Sequence, residues 1–150
     1  MRNLARLAGA LALLVTLTSG CAVNRATASV DPSARLGDVK TVHVARTEKN
    51  DKDDGAVDLL IADNLRKRGL TVTTGPKPAG RPDAVVTYMD KWMWDITMYM
   101  LELTIVVREP QTDFPMATGN SYHTSLSRLT PAQMVDEVLG NIFNKKEARK

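Results

Sequence analysis

Asp83-Ala84-Val85-Val86-Thr87-Tyr88-Met89-Asp90-Lys91-Trp92-Met93-Trp94-Asp95-Ile96-Thr97-Met98-Tyr99-Met100-Leu101-Glu102-Leu103-Thr104-Ile105-Val106-Val107 contains neither glycine nor proline. Ala84 to Met89 is a nearly continuous apolar run, the pattern of a strand buried on both faces. Continued as one strand, the stretch from Lys91 to Val107 alone would span about 55 Å, roughly three times the common strand length. The reading therefore places a turn near Asp90-Lys91 and a bulge or strong bend before Leu103. Even positions Trp92, Trp94, Ile96, Met98 and Met100 and odd positions Leu101, Leu103, Ile105 and Val107 are apolar, so each face is apolar over part of its length.

Working towards the N-terminus, Val39 to Arg46 alternates as a first strand. Glu48 to Gly55 is a charged turn whose acidic end suits the positive start of a helix. That helix is expected from Ala56 to Arg68, with Val57, Leu60, Ile61 and Leu65 on one face, an Asp63/Lys67 pair one turn apart, and Gly69 ending it. Leu70 to Thr74 is a further strand, and Gly75 to Pro82 breaks the chain. Towards the C-terminus, Arg108 to Asp113 turns and Met116 to Leu126 returns as a polar strand. Thr130-Pro131-Ala132-Gln133 is a capping box, followed by Met134, Val135, Val138, Leu139, Ile142 and Phe143 on one helical face. Lys145, Lys146, Arg149 and Lys150 then meet the negative end of that helix. The order β-α-β-β-β-β-α predicts an α+β fold, a mainly antiparallel sheet of about five strands with two helices packed on one face.

With 150 residues, 43% hydrophobic and 25% charged, the chain accommodates one globular domain and excludes a disordered acidic tail, a collagen-like fibre and a multidomain enzyme. Arg2 and Arg6, the uncharged run Leu7 to Val15 and the small residues after it form the charged, apolar, small-residue order of a secretory signal. Loss of those two arginines takes the formal charge from +3 to +1, which gives no ground for nucleic-acid binding.

The only cysteine, Cys21, directly follows Leu17-Thr18-Ser19-Gly20. Basic start, apolar run, Gly before Cys and the lack of a second Cys together resemble a bacterial lipobox, with Thr18 at the usual aliphatic place. The resemblance implies a signal peptide over 1–20 and a lipoprotein that begins at Cys21, with acyl chains such as palmitate as its lipid anchor. Several acyl chains make such attachment effectively permanent. Ala22, where an Asp would retain the protein at the inner membrane, implies the periplasmic side of the outer membrane. Residues 21–37, small, polar and aperiodic, read as a flexible tether, leaving 38–150 as a single periplasmic domain.

Candidate chemistry is sparse. His43 and His123 both lie within expected strands, and the sequence has no HExxH, no phosphate loop and no Gly-x-Ser-x-Gly elbow, so no catalytic residue, metal site or cofactor is assigned. Met89, Met93, Met98 and Met100 near Trp92 and Trp94 are soft residues of the kind that select Cu(I), although methionine is also a common core filler. Trp92, Trp94, Ile96, Met98, Tyr99 and Met100 are read first as an interaction surface, being residue types that dominate binding interfaces.

The layout also resembles the small α+β periplasmic lipoproteins of envelope assembly and transport, such as those of lipopolysaccharide assembly and curli secretion. That resemblance implies a non-enzymatic accessory or binding module in the cell envelope, held to the membrane by its anchor and meeting an envelope protein partner. The alternative is a periplasmic carrier of a small apolar ligand or copper on the Trp/Met-rich strand. A hydrolase using His43 or His123 is a third.

Overall fold

The computed structural model describes residues 24–46 and 56–147. Six strands, β1 (Asn24–Val30), β2 (Thr41–Ala45), β3 (Thr71–Gly75), β4 (Ala84–Asp95), β5 (Thr97–Arg108) and β6 (Pro115–His123), form one sheet in the order β1-β6-β5-β4-β2-β3. Helix α1 (Val57–Lys67) lies between β2 and β3 in the chain, and α2 (Pro131–Glu147) follows β6. The fold is α+β, as expected, but the sheet has a sixth strand and is mixed. The β1–β6, β6–β5 and β5–β4 pairs are antiparallel, whereas β2 runs parallel to both β3 and β4. A helical crossover returns the chain to the start of its neighbour, which makes β3 parallel to β2.

The added strand is β1, inside the segment read as tether. Its seven residues pair with β6 from Asn24↔His123 to Val30↔Ala117. Without it, β6 would present an unpaired row of backbone donors and acceptors along the sheet edge. The small polar residues that suggested a tether equally suit the exposed face of an edge strand. Beyond β1, the Asp31 carboxylate accepts the Ser33 N–H at 2.8 Å in a tight turn, and Leu36 enters the core. Residues 24–36 thus belong to the folded domain rather than to a tether ending near residue 37.

Helix α1 packs on β2 and β3, α2 packs on β1, β5 and β6, and the helices pack on each other. Between them and the sheet lie Val44, Val86, Leu103, Ile105, Ile61, Leu65, Met134, Val138, Leu139 and Ile142, all buried. Helix α1 ends in a Schellman motif, with Gly69 at φ 85 donating to the Arg66 carbonyl and Leu70 to that of Leu65. Its Asp63 and Lys67 pair at 2.7 Å. The capping box of α2 is formed in both directions: Thr130 N–H to Gln133 Oε1 at 2.9 Å, and Gln133 N–H to Thr130 Oγ1 at 3.3 Å. Asp83 ties the starts of β2 and β4 together, accepting the N–H groups of Lys40 at 3.0 Å and Thr41 at 2.8 Å, and these donors hold its carboxyl below the usual range.

The long stretch folds at its middle, which corrects the expected turn. β4 runs on through Asp90 and Lys91 to Asp95, and the chain reverses at Ile96. Asp90 and Lys91 interrupt the apolar pattern but not the strand, because Asp90 accepts the Trp92 indole N–H and Lys91 pairs with Glu102 across the ladder. The register shift falls between Lys91 and Trp92, opposite Leu101, which is the irregularity expected before Leu103. Met1 to Val23, with the signal segment and Cys21, and the charged Glu48–Gly55 turn lie outside the described residues, as do Arg149 and Lys150.

Candidate functional site

The β4–β5 hairpin is longer than the sheet that flanks it. β2 pairs with β4 only as far as Val86, and the β5–β6 ladder begins at Glu102↔Tyr122, so residues 92–100 extend as a two-stranded arm. Isolated ribbons of this kind are marginal in water. This one is braced at its root. Trp92 stands opposite Met100, packs against the core and donates its indole N–H to Asp90 at 2.6 Å. Lys91 pairs with Glu102 at 2.7 Å, and Asn120 of β6 donates to the same carboxylate at 2.9 Å. These two hydrogen bonds, that from Lys91 first, hold the Glu102 carboxyl below its ordinary value.

A second brace comes from the segment between β6 and α2. The Arg128 guanidinium lies 4.8 Å from the Tyr99 ring centroid, donates to Thr97 Oγ1 at 2.8 Å and stands 3.6 Å from Asp95 Oδ2. Arg128 thus reaches three arm residues at once. Nothing in the local sequence marks it for this role, since it precedes a helix cap and has no arm-like neighbours.

The residues read as an interaction surface divide in two. Trp94 is 70% exposed, Ile96 86% and Met98 56%, and Met89 and Met93 are exposed as well. Met100, by contrast, is fully buried and belongs to the core, and Trp92 and Tyr99 are half-buried beneath their braces. The Met98/Met100 thioether pair therefore does not share one accessible face. Both stay on one side of β5, with no register shift between them, but Met100 sits at the root of the arm against the core while Met98 lies further out along it. Leu126, on a short 3-10 turn just after β6, is 85% exposed and adds an apolar residue that the sequence reading did not single out.

The histidines are apart, with β5 and β4 lying between β6 and β2. His43 is buried, with Nδ1 2.9 Å from Thr73 Oγ1 and Nε2 3.1 Å from the Gly75 carbonyl oxygen. His123 is buried beside Glu137 of α2, Nε2 to Oε2 2.9 Å, and Ser121 donates to the same oxygen at 2.5 Å. In that cluster the carboxylate stands between hydroxyl and imidazole, so the histidine cannot take the serine proton directly, as a nucleophilic pair requires. Among the described residues, no group of three His, Cys, Asp or Glu side chains is placed to hold a metal ion. A broad cleft of about 870 Å³, lined by Arg35, Arg81, Asp83, Glu109 and their neighbours, opens at the end of the sheet away from the arm.

No protein-family model matches the chain, and no curated protein matches it. Solved structures do. The PelC dodecamer from Paraburkholderia phytofirmans in space group P6 superposes with a TM-score of 0.58 at 17% identity, covering 80% of this chain and 98% of that one. A single-substitution variant of it in space group C2 gives 0.55 at 18%, over 79% and 96%. A DUF4136 family protein from Bacteroides thetaiotaomicron gives 0.51 at 9%, over 83% and 96%. At these identities the likeness is one of fold, and the chain shares its α+β architecture with all three.

Proposed function

We propose that this chain is a lipid-anchored, non-enzymatic accessory module of a bacterial envelope complex, attached through Cys21 at the periplasmic side of the outer membrane. The observation that carries the reading is the exposed apolar arm. A domain that buries its core behind two helices still extends Trp94, Ile96 and Met98 into the open, at a cost to solubility that a contact surface would justify. The PelC structures of this fold are dodecamers, so assembly of copies is the form of complex to examine first. The carrier alternative has less support, because Met100 is in the core and the broad cleft is lined by residues outside the arm.

The test compares wild type with Cys21→Ser in cell fractions, with intact mass read on each. The expected result is a wild-type protein in the outer membrane carrying the mass of acyl chains, and a variant without them in the soluble periplasm. Equal mass and equal location would overturn the anchor. Sedimentation of the purified wild type then reads whether copies assemble.

A further inference from the structure

We infer that the exposed tip of the arm inserts into the same bilayer that the lipid on Cys21 enters, so that the protein is held at two points. This inference rests on the anchor reading above and names what covers the apolar surface. It begins with reach. Asn24 is three residues after Cys21, so their Cα atoms lie at most about 11 Å apart even in a fully extended chain. Asn24 is itself fixed, being paired with His123 at the end of the β1–β6 ladder. The expected long tether is therefore absent, and an acylated Cys21 would hold the sheet directly against the headgroups.

Direction comes next. β1 enters the sheet at Asn24, so the chain leading back to Cys21 leaves from the edge where β6 ends. By register, His123 of β6 is level with Leu101 of β5. From Leu101 to Ile96 the arm continues about 16 Å beyond that level. Strand twist, about 20 to 25° at each of the two steps from β1 to β5, reduces the projection to about 12 Å. The arm tip thus reaches at least as far towards the membrane as the lipidated residue can.

The composition of that end agrees. Trp94, Ile96 and Met98 are exposed at the tip, and Leu126 is exposed on the turn that follows His123 at the same end. Tryptophan favours the boundary between headgroup and acyl chain, where an apolar ring and a polar edge are both accommodated. Arg128, stacked on Tyr99 behind the tip, also stands 3.6 Å from Asp95 and so offsets the charge of the tip's carboxylate.

The experiment uses the full acylated protein, purified from membranes and reconstituted in vesicles of phosphatidylethanolamine and phosphatidylglycerol, with and without brominated acyl chains. A Trp92→Phe variant leaves Trp94 as the sole tryptophan, and intact mass on the same sample reads acylation. Acylated protein whose Trp94 emission is blue-shifted and quenched by bromine is the expected result, with Trp94→Phe removing the quenchable emission when Trp92 is retained. Acylated protein whose Trp94 emission is insensitive to bromine overturns insertion and leaves the anchor standing. A blue shift that persists without lipid and falls on dilution would instead assign the tip to a second copy of the chain. Unmodified Cys21 overturns the anchor reading and the reach argument with it.

Discussion

Gly119 of β6 lies directly beneath Val138 of α2: a Cβ added to it would stand 2.7 Å from Val138 Cγ1 and 3.0 Å from Ile142 Cδ1. Both neighbours are fully buried and have nowhere to retreat. Gly119→Ala should therefore lose about 1 kcal/mol or more of stability, overpacking outweighing the reduced freedom of the unfolded chain. Urea unfolding reads this as a lower midpoint with the same slope. A midpoint that is unchanged or raised would mean that α2 does not seat on β6 at this distance.

The α2 capping box offers a second, smaller effect. Thr130→Ala removes the acceptor for the Gln133 N–H and the reciprocal partner of its side chain. The expected loss is about 1 kcal/mol, and Thr130→Ser should restore most of it. An equal loss in both variants would point to the threonine methyl rather than the cap.

Much of this architecture is legible in the sequence where local chemistry and periodicity agree. The capping box at Thr130, the Gly69 stop, the Asp63/Lys67 pair and the apolar face of α2 are all where the residue pattern places them. Two features escaped it. β1 alternates only faintly, with Ala26, Ala28 and Val30 against Arg25, Thr27 and Ser29, and although Ala28 and Val30 pack on the core, two alanines and one valine give too weak an apolar signal to set an edge strand apart from a tether. The turn at Ile96 is a β-branched residue at φ 61, a position that turn chemistry assigns to Gly or Asn, so no local signal marks it. At the site, the aromatic and methionine cluster was visible from composition. Its division into the exposed Trp94, Ile96 and Met98 and the buried Met100 depends on how far the hairpin runs past its flanking strands, which only the pairing shows.

Pairing of β1 predicts slow amide exchange in a stretch whose composition reads as a tether. Alternate amides between Asn24 and Val30, those bonded to β6, should exchange about tenfold or more slowly than an unstructured chain, an opening free energy above about 1.4 kcal/mol. Exchange at the unstructured rate throughout 24–30 would return this segment to the status of tether. It would also lengthen the reach of Cys21.

Acid should loosen the root of the arm. The Lys91 ammonium and the Asn120 amide hold the Glu102 carboxyl below its ordinary value of 4.5. Because the folded pKa is the lower one, this contribution is fully present above the unfolded value. It is lost as pH falls from about 4.5 through the folded pKa. Glu102→Gln should therefore unfold less steeply with acid than wild type in this window, and the two proteins should differ by a constant amount between pH 6 and about 8. Parallel acid profiles for both would show that Glu102 is not the group being protonated.

The tip of the arm should reverse the usual relation between stability and contact. Ile96 adopts the left-handed backbone region, where an L side chain costs about 1 to 2 kcal/mol and a β-branched one is disfavoured further. It is also 86% exposed, so burial within the chain does little to offset that strain. Asparagine tolerates the same φ with much less strain. Ile96→Asn is accordingly expected to leave the folded protein as stable or more stable, by up to about 1 kcal/mol, while weakening the attachment of the arm to lipid. Two readouts separate the effects: the thermal midpoint of the soluble Cys21→Ser protein, and the quenching of Trp94 by brominated lipid in the acylated one. A raised midpoint with reduced quenching places the apolar tip in the service of the membrane contact. A lowered midpoint would instead make Ile96 part of the packing that holds the arm together.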